Sequence, residues 1–467
     1  MVNNFIKVLS VVVAAFFFNV HICFALSLEA AISLANQNLP SHKSLKIDID
    51  SKNFLYKASL SPYLPTLDLG GEVERRKTSD NKNATIRDVT LRYSLNGKPV
   101  QEIPSSILDL DSESVNRIDG DTYGITHYDA TLGYILFDGG IRKADRNIAR
   151  LDLNSARENF RGDLIDLEHD VKVIYFNAVT RKEILAQRKT QLKNAETVYA
   201  IAKGKYKHGV TLLSDVLQAT VDLKKAMVEL RHAKGDIAKA MFELNSFIGR
   251  DLQTPYDLGD KLNINVILPK REELIVTALD KPVAREALNE VEKTKNIVSR
   301  NLSRFYPTVV SSISYSYTDG FDEFWDDPVE TTSAKVMAKF NIFEFKKYYN
   351  RKSHKEDVKV SIENLNNIKR ELILNLYSTY EDFLTFKESV HLATQRLKES
   401  QFNYDQAMGE YKAGKGEILS LVRAHTLLSD AMNFLSKTNF GFSQAKAALE
   451  QAAGVKNLET LEKVNGL

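Results

Sequence analysis

Residues 206–219 read YKHGVTLLSDVLQA and residues 411–424 read YKAGKGEILSLVRA. In both, a long stretch free of proline runs into Tyr-Lys, one more residue and a glycine, and an apolar pattern restarts a few residues later. Glycine supplies the positive φ that closes a helix end, so each stretch reads as the turn of a helical hairpin. The landmarks on either side recur at matching intervals. Phe137 stands 72 residues before Gly209, and Phe343 stands 71 before Gly414; Gly249 and Gly454 each follow their turn by 40. Pro40 to Pro65 and Pro282 to Pro307 are both 25 residues. Spacing conserved over about 200 residues marks two copies of one architecture in tandem. Only the Pro-to-Phe interval differs, 72 residues against 36, which makes it a loop tolerant of length.

Before each turn the apolar period is seven. Phe160, Leu164, Leu167, Val171, Ile174 and Ala178 alternate by four and three, and Val358, Ile362, Leu365, Leu372, Leu376, Phe383, Phe386 and Val390 keep the same seam with two positions skipped. Such seams require a partner helix along their length. The pattern predicts long helices over 140–207 and 346–411, rods on the order of 100 Å. Return helices are expected over 212–248 and 418–453, and one shorter lead-in helix per copy over about 27–61 and 271–304.

Between lead-in and rod the period drops to two. Leu67, Leu69, Gly71 and Val73 alternate with Asp68, Gly70, Glu72 and Glu74, and Tyr128 to Leu136 alternate in the same way. The second copy repeats this with Val309 to Tyr317 and with Ala334, Val336, Ala338, Phe340 and Ile342. Four two-faced strands are expected, over 66–75, 123–137, 308–318 and 333–343. A half-buried soluble sheet would alternate similarly. Strand lengths near ten residues and an aromatic-rich apolar face fit lipid-facing barrel strands better. Asp68, Glu72, Glu74, Lys335 and Lys339 then face a watery lumen. Four strands cannot close a barrel, and open edges in lipid leave backbone groups unpaired, so the strands must join those of other chains. Three copies would supply twelve.

Residues 1–25 carry a single charge, Lys7, and an apolar stretch shorter than the about 20 residues of a spanning helix. They read as an export signal cleaved after Ala25. A retained anchor and a lipid on Cys23 are the alternatives; cleavage would remove the one cysteine and with it all thiol chemistry. Without Lys7 the chain has 62 basic and 61 acidic residues, a balance with no footprint for nucleic acid. Nine histidines lack metal-ligand spacing, and no nucleophile elbow or dinucleotide fingerprint occurs. The run GEYKAGK at 409–415 ends a helix and is followed by Gly416 where a phosphate loop needs Ser or Thr. The expectation is a protein without cofactor, metal or enzymatic activity. The copies divide as 26–249 and 271–454, with a linker over 250–270 and a tail over 455–467.

The opening LSLEAAI at 26–32, Tyr63-Leu64-Pro65-Thr66, Phe305-Tyr306-Pro307-Thr308, Phe137-Asp138-Gly139-Gly140 and the two turn runs, in order and twice, resemble the TolC family of outer-membrane efflux proteins. The resemblance covers residues 26–467 apart from the loop at about 75–121. It implies a mainly α chain of tandem coiled-coil hairpins whose four strands complete a twelve-stranded barrel in a homotrimer. It also implies contact with outer-membrane lipid, and docking of a periplasmic adaptor and an inner-membrane pump on the helical turns. By that resemblance Gly209, Val210, Leu213, Gly414, Leu419 and Leu421 are adaptor-docking residues, and Asp215, Ser420 and Arg423 belong to the gate. Family members carry aspartates six and nine residues after the second glycine; Ser420 and Arg423 stand there. A positive ring is expected in place of an acidic one. The alternatives are a duct for secreted proteins and a pore-free periplasmic scaffold.

Overall fold

The computed structural model describes residues 25–77, 94–95, 98–99, 122–259, 266, 268–320 and 327–458. Most of the proposed export signal with Cys23, most of the long first loop, residues 321–326, and parts of the linker and tail lie outside them. In chain order the elements are α1 (Leu28–Asn38), α2 (Pro40–Ala58), β1 (Thr66–Lys77), β2 (Ser94–Leu95), β3 (Lys98–Pro99), β4 (Thr122–Phe137), α3 (Ile141–Lys207) and α4 (Leu213–Phe247). The second copy gives α5 (Arg271–Leu279), α6 (Pro282–Ser303), β5 (Thr308–Gly320), β6 (Val329–Lys339), α7 (Phe345–Lys412) and α8 (Ile418–Ala453).

Each lead-in is two helices rather than the one expected. Leu39 takes an extended conformation (φ −66°, ψ 122°) ahead of Pro40, and α2 begins on that proline. A proline pushes its predecessor out of the helical region and suits the first helical position, because its missing N–H would be unpaired there anyway. Pro282 opens α6 in the same way. The α1 start is capped by Ser27, whose hydroxyl accepts from the Ala30 N–H at 3.2 Å.

The chain forms two compact units. One comprises residues 1–49, 155–288 and 363–467, and the regular elements among its described residues are helices. In it, each copy packs its short lead-in helix, long helix and return helix around a core. Ala31, Ala35, Val171, Tyr175, Leu244 and Ile248 fill the first. Leu274, Ala278, Leu376, Phe383, Phe442 and Leu449 fill the second, with the Phe383 and Phe442 rings 5.1 Å apart. A third core joins α3, α4, α7 and α8 around Tyr411 and Leu421. The copies are also tied by a buried ion pair. Lys172 donates to Glu450 at 2.7 Å and to the Lys456 carbonyl at 2.7 Å, while the other Glu450 oxygen accepts from Leu458 N–H at 3.3 Å.

The other unit, residues 50–154 and 289–362, holds the four-stranded antiparallel sheet, ordered β1-β4-β5-β6. Its last strand ends at Lys339, four residues short of the expected 343, and starts at Val329. The ladder explains this: Lys339 pairs with Thr308, and Pro307 beyond it has no N–H to extend the pairing. The Phe137-Asp138-Gly139-Gly140 motif is the elbow from β4 into α3. The buried Asp138 carboxylate accepts from Gly140 N–H (3.0 Å), Arg142 N–H (2.8 Å) and Arg142 Nε (3.1 Å). Arg142 in turn donates to the carbonyls of Pro62 (3.1 Å) and Ile135 (3.0 Å) and lies 4.9 Å above the Tyr63 ring. A single acid–base pair thereby fixes the direction in which the strand hands over to the helix.

Candidate functional site

Both hairpin turns close by the same hydrogen bonds. At the first, Gly209 (φ 71°) donates to Tyr206 O at 2.9 Å and Val210 N–H to Lys205 O at 2.9 Å. At the second, Gly414 (φ 75°) donates to Tyr411 O at 3.2 Å and Lys415 N–H to Glu410 O at 3.0 Å. This pair of hydrogen bonds around a left-handed residue satisfies carbonyls that a helix leaves unpaired at its end.

The side chains at the two turns differ. Val210, Leu212 and Leu213 stand exposed on the first. On the second, Leu419 is exposed, and Ser420 and Arg423 are exposed one turn apart on α8. Leu421 corrects the expectation that it touches a docking partner: it is fully buried against Tyr411, Ile418, Ala424 and Leu428, and contributes by packing the turn from inside. Two residues of helix turn the side chain by about 200°, so Leu419 and Leu421 point to opposite sides.

Asp215 is half-buried in the first turn of α4 and accepts from the Thr211 hydroxyl. There its negative charge meets the positive end of the helix dipole. Across from it, burial pushes the Tyr411 hydroxyl above its ordinary range and the Asp215 charge adds to this. Lys205 binds the same tyrosine from α3: its ammonium donates to the Tyr411 carbonyl and sits 4.2 Å from the ring centroid.

A buried polar layer that sequence spacing did not single out lies farther along these helices. His425 Nδ1 is 3.2 Å from Asp222 Oδ2, joining α8 to α4, and its Nε2 has no partner among the described residues. Its ring centroid is 5.6 Å from that of Tyr404, whose hydroxyl is pushed up to about 12 by burial, then by Asp405 and Asp222. Next to it Arg188 donates to Gln191 (2.6 Å), Ser429 (3.1 Å) and Glu229. The signal was a histidine on the apolar stripe of α8, but its acid lies 203 residues away.

The sheet register sorts its residues into two faces. Cross-strand pairs point the same way, and Leu67–Leu132–Ile313–Ala334, Leu69–Ala130–Tyr315–Thr332 and Gly71–Tyr128–Tyr317–Glu330 form rows on one side. The other side carries Asp68–Thr131–Ser314–Ser333 and Thr66–Gly133–Ser312–Lys335, with Glu72, Glu74 and Lys339 in step. All five charged residues expected on one face therefore share it. No described helix is long and apolar enough to cross a membrane.

The model of the outer membrane efflux protein family matches residues 31–250 and 281–455. The chain belongs to this family. The two matched blocks of the efflux-protein model fall on the two copies. Protein CyaE of Bordetella pertussis (strain Tohama I) is 30% identical over 129 residues, a stretch covering 28% of this chain and 27% of that protein's own length. The CmeC outer membrane channel of Campylobacter jejuni superposes with a TM-score of 0.74 at 15% identity, over 94% of this chain and 88% of that one. The open-state MtrE outer membrane channel of Neisseria gonorrhoeae gives 0.70 at 16% identity, over 92% and 89%. The efflux-protein family and this fold are those of channel proteins rather than enzymes.

Proposed function

We propose that three copies of this chain form a passive exit duct in the bacterial outer membrane, with the helices continuing as a tunnel into the periplasm. One observation carries the reading. On a single sheet face Leu67, Leu69, Val73, Ile313 and Val336 are 56–77% exposed. Water-soluble proteins rarely leave such a contiguous apolar surface uncovered, whereas barrel strands turn one to lipid. Among the described residues the sheet has two free edges, β1 and β6. In lipid each unpaired backbone group costs several kcal/mol, so rotation by thirds into a twelve-stranded barrel is the simplest closure. The charged face then lines the water path. A pore-free scaffold leaves the apolar face unaccounted for.

The turns are the docking points for a periplasmic adaptor, which links the duct to an inner-membrane pump that supplies the energy. Gly209 and Gly414 shape the turns, Val210, Leu213 and Leu419 offer apolar contact, and Leu421 supports them from within. Asp215, Ser420 and Arg423 belong to the constriction. Arg423 is exposed with no ion pair or hydrogen bond among the described residues, and three such residues around a narrow opening repel divalent cations. Purified protein in planar bilayers tests the whole reading. Trimers by native mass spectrometry, ohmic conductance, weak block by divalent cations from the turn side, and strong block in Arg423→Asp support it. Monomers that never conduct would end it.

A further inference from the structure

We propose that the two free sheet edges are a matched pair, and that β6 of one copy joins β1 of the next in a single register set by Asp68–Lys339 and Glu72–Lys335 ion pairs. The inference rests on the barrel reading above and goes further, naming the seam and what aligns it. Asp68 and Glu72 lie on β1, Lys335 and Lys339 on β6, all exposed on the same face and all without an ion pair among the described residues. Acids on one edge and bases on the other make copies of this chain complementary head to tail, the arrangement a closed ring needs.

The spacing selects the register. Four residues separate the acids and four separate the lysines, so antiparallel strands can satisfy both pairs at once. Carried straight across the sheet, the existing ladder takes Lys335 through Ser312 and Gly133 to Thr66. A seam without stagger would repeat that alignment, and a barrel of tilted strands needs stagger. Odd staggers mix the two faces. A stagger of two residues leaves Lys339 opposite Leu64, outside β1; four puts both lysines opposite Thr66 and Gly70; eight pairs Lys335 with Glu74 but Lys339 with Gly70. Six gives both lysines a carboxylate. Three seams of six accumulate about 18 residues around twelve strands, which at ~3.3 Å per residue and ~4.8 Å between strands is a tilt of about 45°, the upper end of the usual range. The same register sets Ala338 opposite Leu69, Val336 opposite Gly71 and Ala334 opposite Val73 on the apolar face, alternating small against large.

Cysteine pairs in full-length protein carrying Cys23→Ser test the register. Directly opposite residues have Cα atoms about 4.5–5.5 Å apart, within disulfide reach. Glu72→Cys with Lys335→Cys should oxidise to interchain-linked species up to a covalent trimer; Asp68→Cys or Glu74→Cys with Lys335→Cys should not. Separately, Lys335→Glu with Lys339→Glu should leave about tenfold less SDS-resistant trimer, through like charges placed opposite each other. Adding Asp68→Lys and Glu72→Lys should restore it. Trimers that link through a different cysteine pair, or that ignore the charge reversals, overturn the register and leave the duct intact. Unmodified protein that is monomeric by native mass spectrometry overturns the duct reading itself.

Discussion

The two hairpin turns share a backbone and differ in what they bury. Gly209 and Gly414 have φ values of 71° and 75° and close on equivalent carbonyls. Yet Tyr206 is 45% exposed and Tyr411 2%, while Leu213 is 53% exposed and its counterpart Ile418 6%. The second turn thus supplies the core that holds this end of the helices, and the first spends its apolar residues on the surface. Duplicated sequence preserved the bend, which depends on one glycine, and let the side chains divide two tasks between them.

The largest expected effect tests that division directly. Tyr411→Ala should cost about 3–5 kcal/mol by loss of a buried aromatic, whereas Tyr206→Ala should stay within about 0.5 kcal/mol; urea unfolding followed by circular dichroism reads both. Equal losses would show the asymmetry to be empty. Next, Gly209→Ala and Gly414→Ala should each cost about 1–2 kcal/mol and by the same amount, because a Cβ at either meets nothing within 4 Å and only the left-handed backbone objects. A large difference between them would mean that the turns are not conformational equals. Lys205→Ala, which removes the contact between the two turns, should cost about 1 kcal/mol and should cost less in a Tyr411→Ala background, where the ring contact is already gone and only the hydrogen bond to the carbonyl of residue 411 is left to lose. Smallest of all, Val210→Ser and Leu213→Ser should leave stability within about 0.5 kcal/mol while reducing recovery of a crosslinked periplasmic partner.

The helices, turns and strand faces were legible because each rests on a local period: seven for the rods, two for the strands, one glycine for each bend. Alternation puts Asp68, Glu72 and Glu74 on one face of β1 and Lys335 and Lys339 on one face of β6, and the ladder brings the two sets to the same side. Leu421 follows the same periodic argument and not the turn motif beside it. Ile418, Leu421, Ala424 and Leu428 form a stripe at helical spacing, and a residue on that stripe faces inward. Pro40 and Pro282 mark the repeat by their spacing, but each also starts a helix of its own, and that local effect divides each lead-in into two pieces. The end of β6 depended on Pro307 in its partner strand, a constraint that only pairing reveals. Asp222 and His425 lay beyond any local reading, since their meeting is a property of helix packing and not of spacing along the chain.

The Lys172–Glu450 pair makes the interior of each repeat depend on the other. One charge comes from each repeat, and both are removed from water. A polypeptide severed between the repeats would deprive the Lys172 ammonium of both its acceptors, while Glu450 would keep Lys446 at 4.0 Å and the Leu458 N–H at 3.3 Å from its own repeat. Each repeat therefore depends on the other to complete this buried layer. Fragments made apart would have to find each other before either could complete its interior.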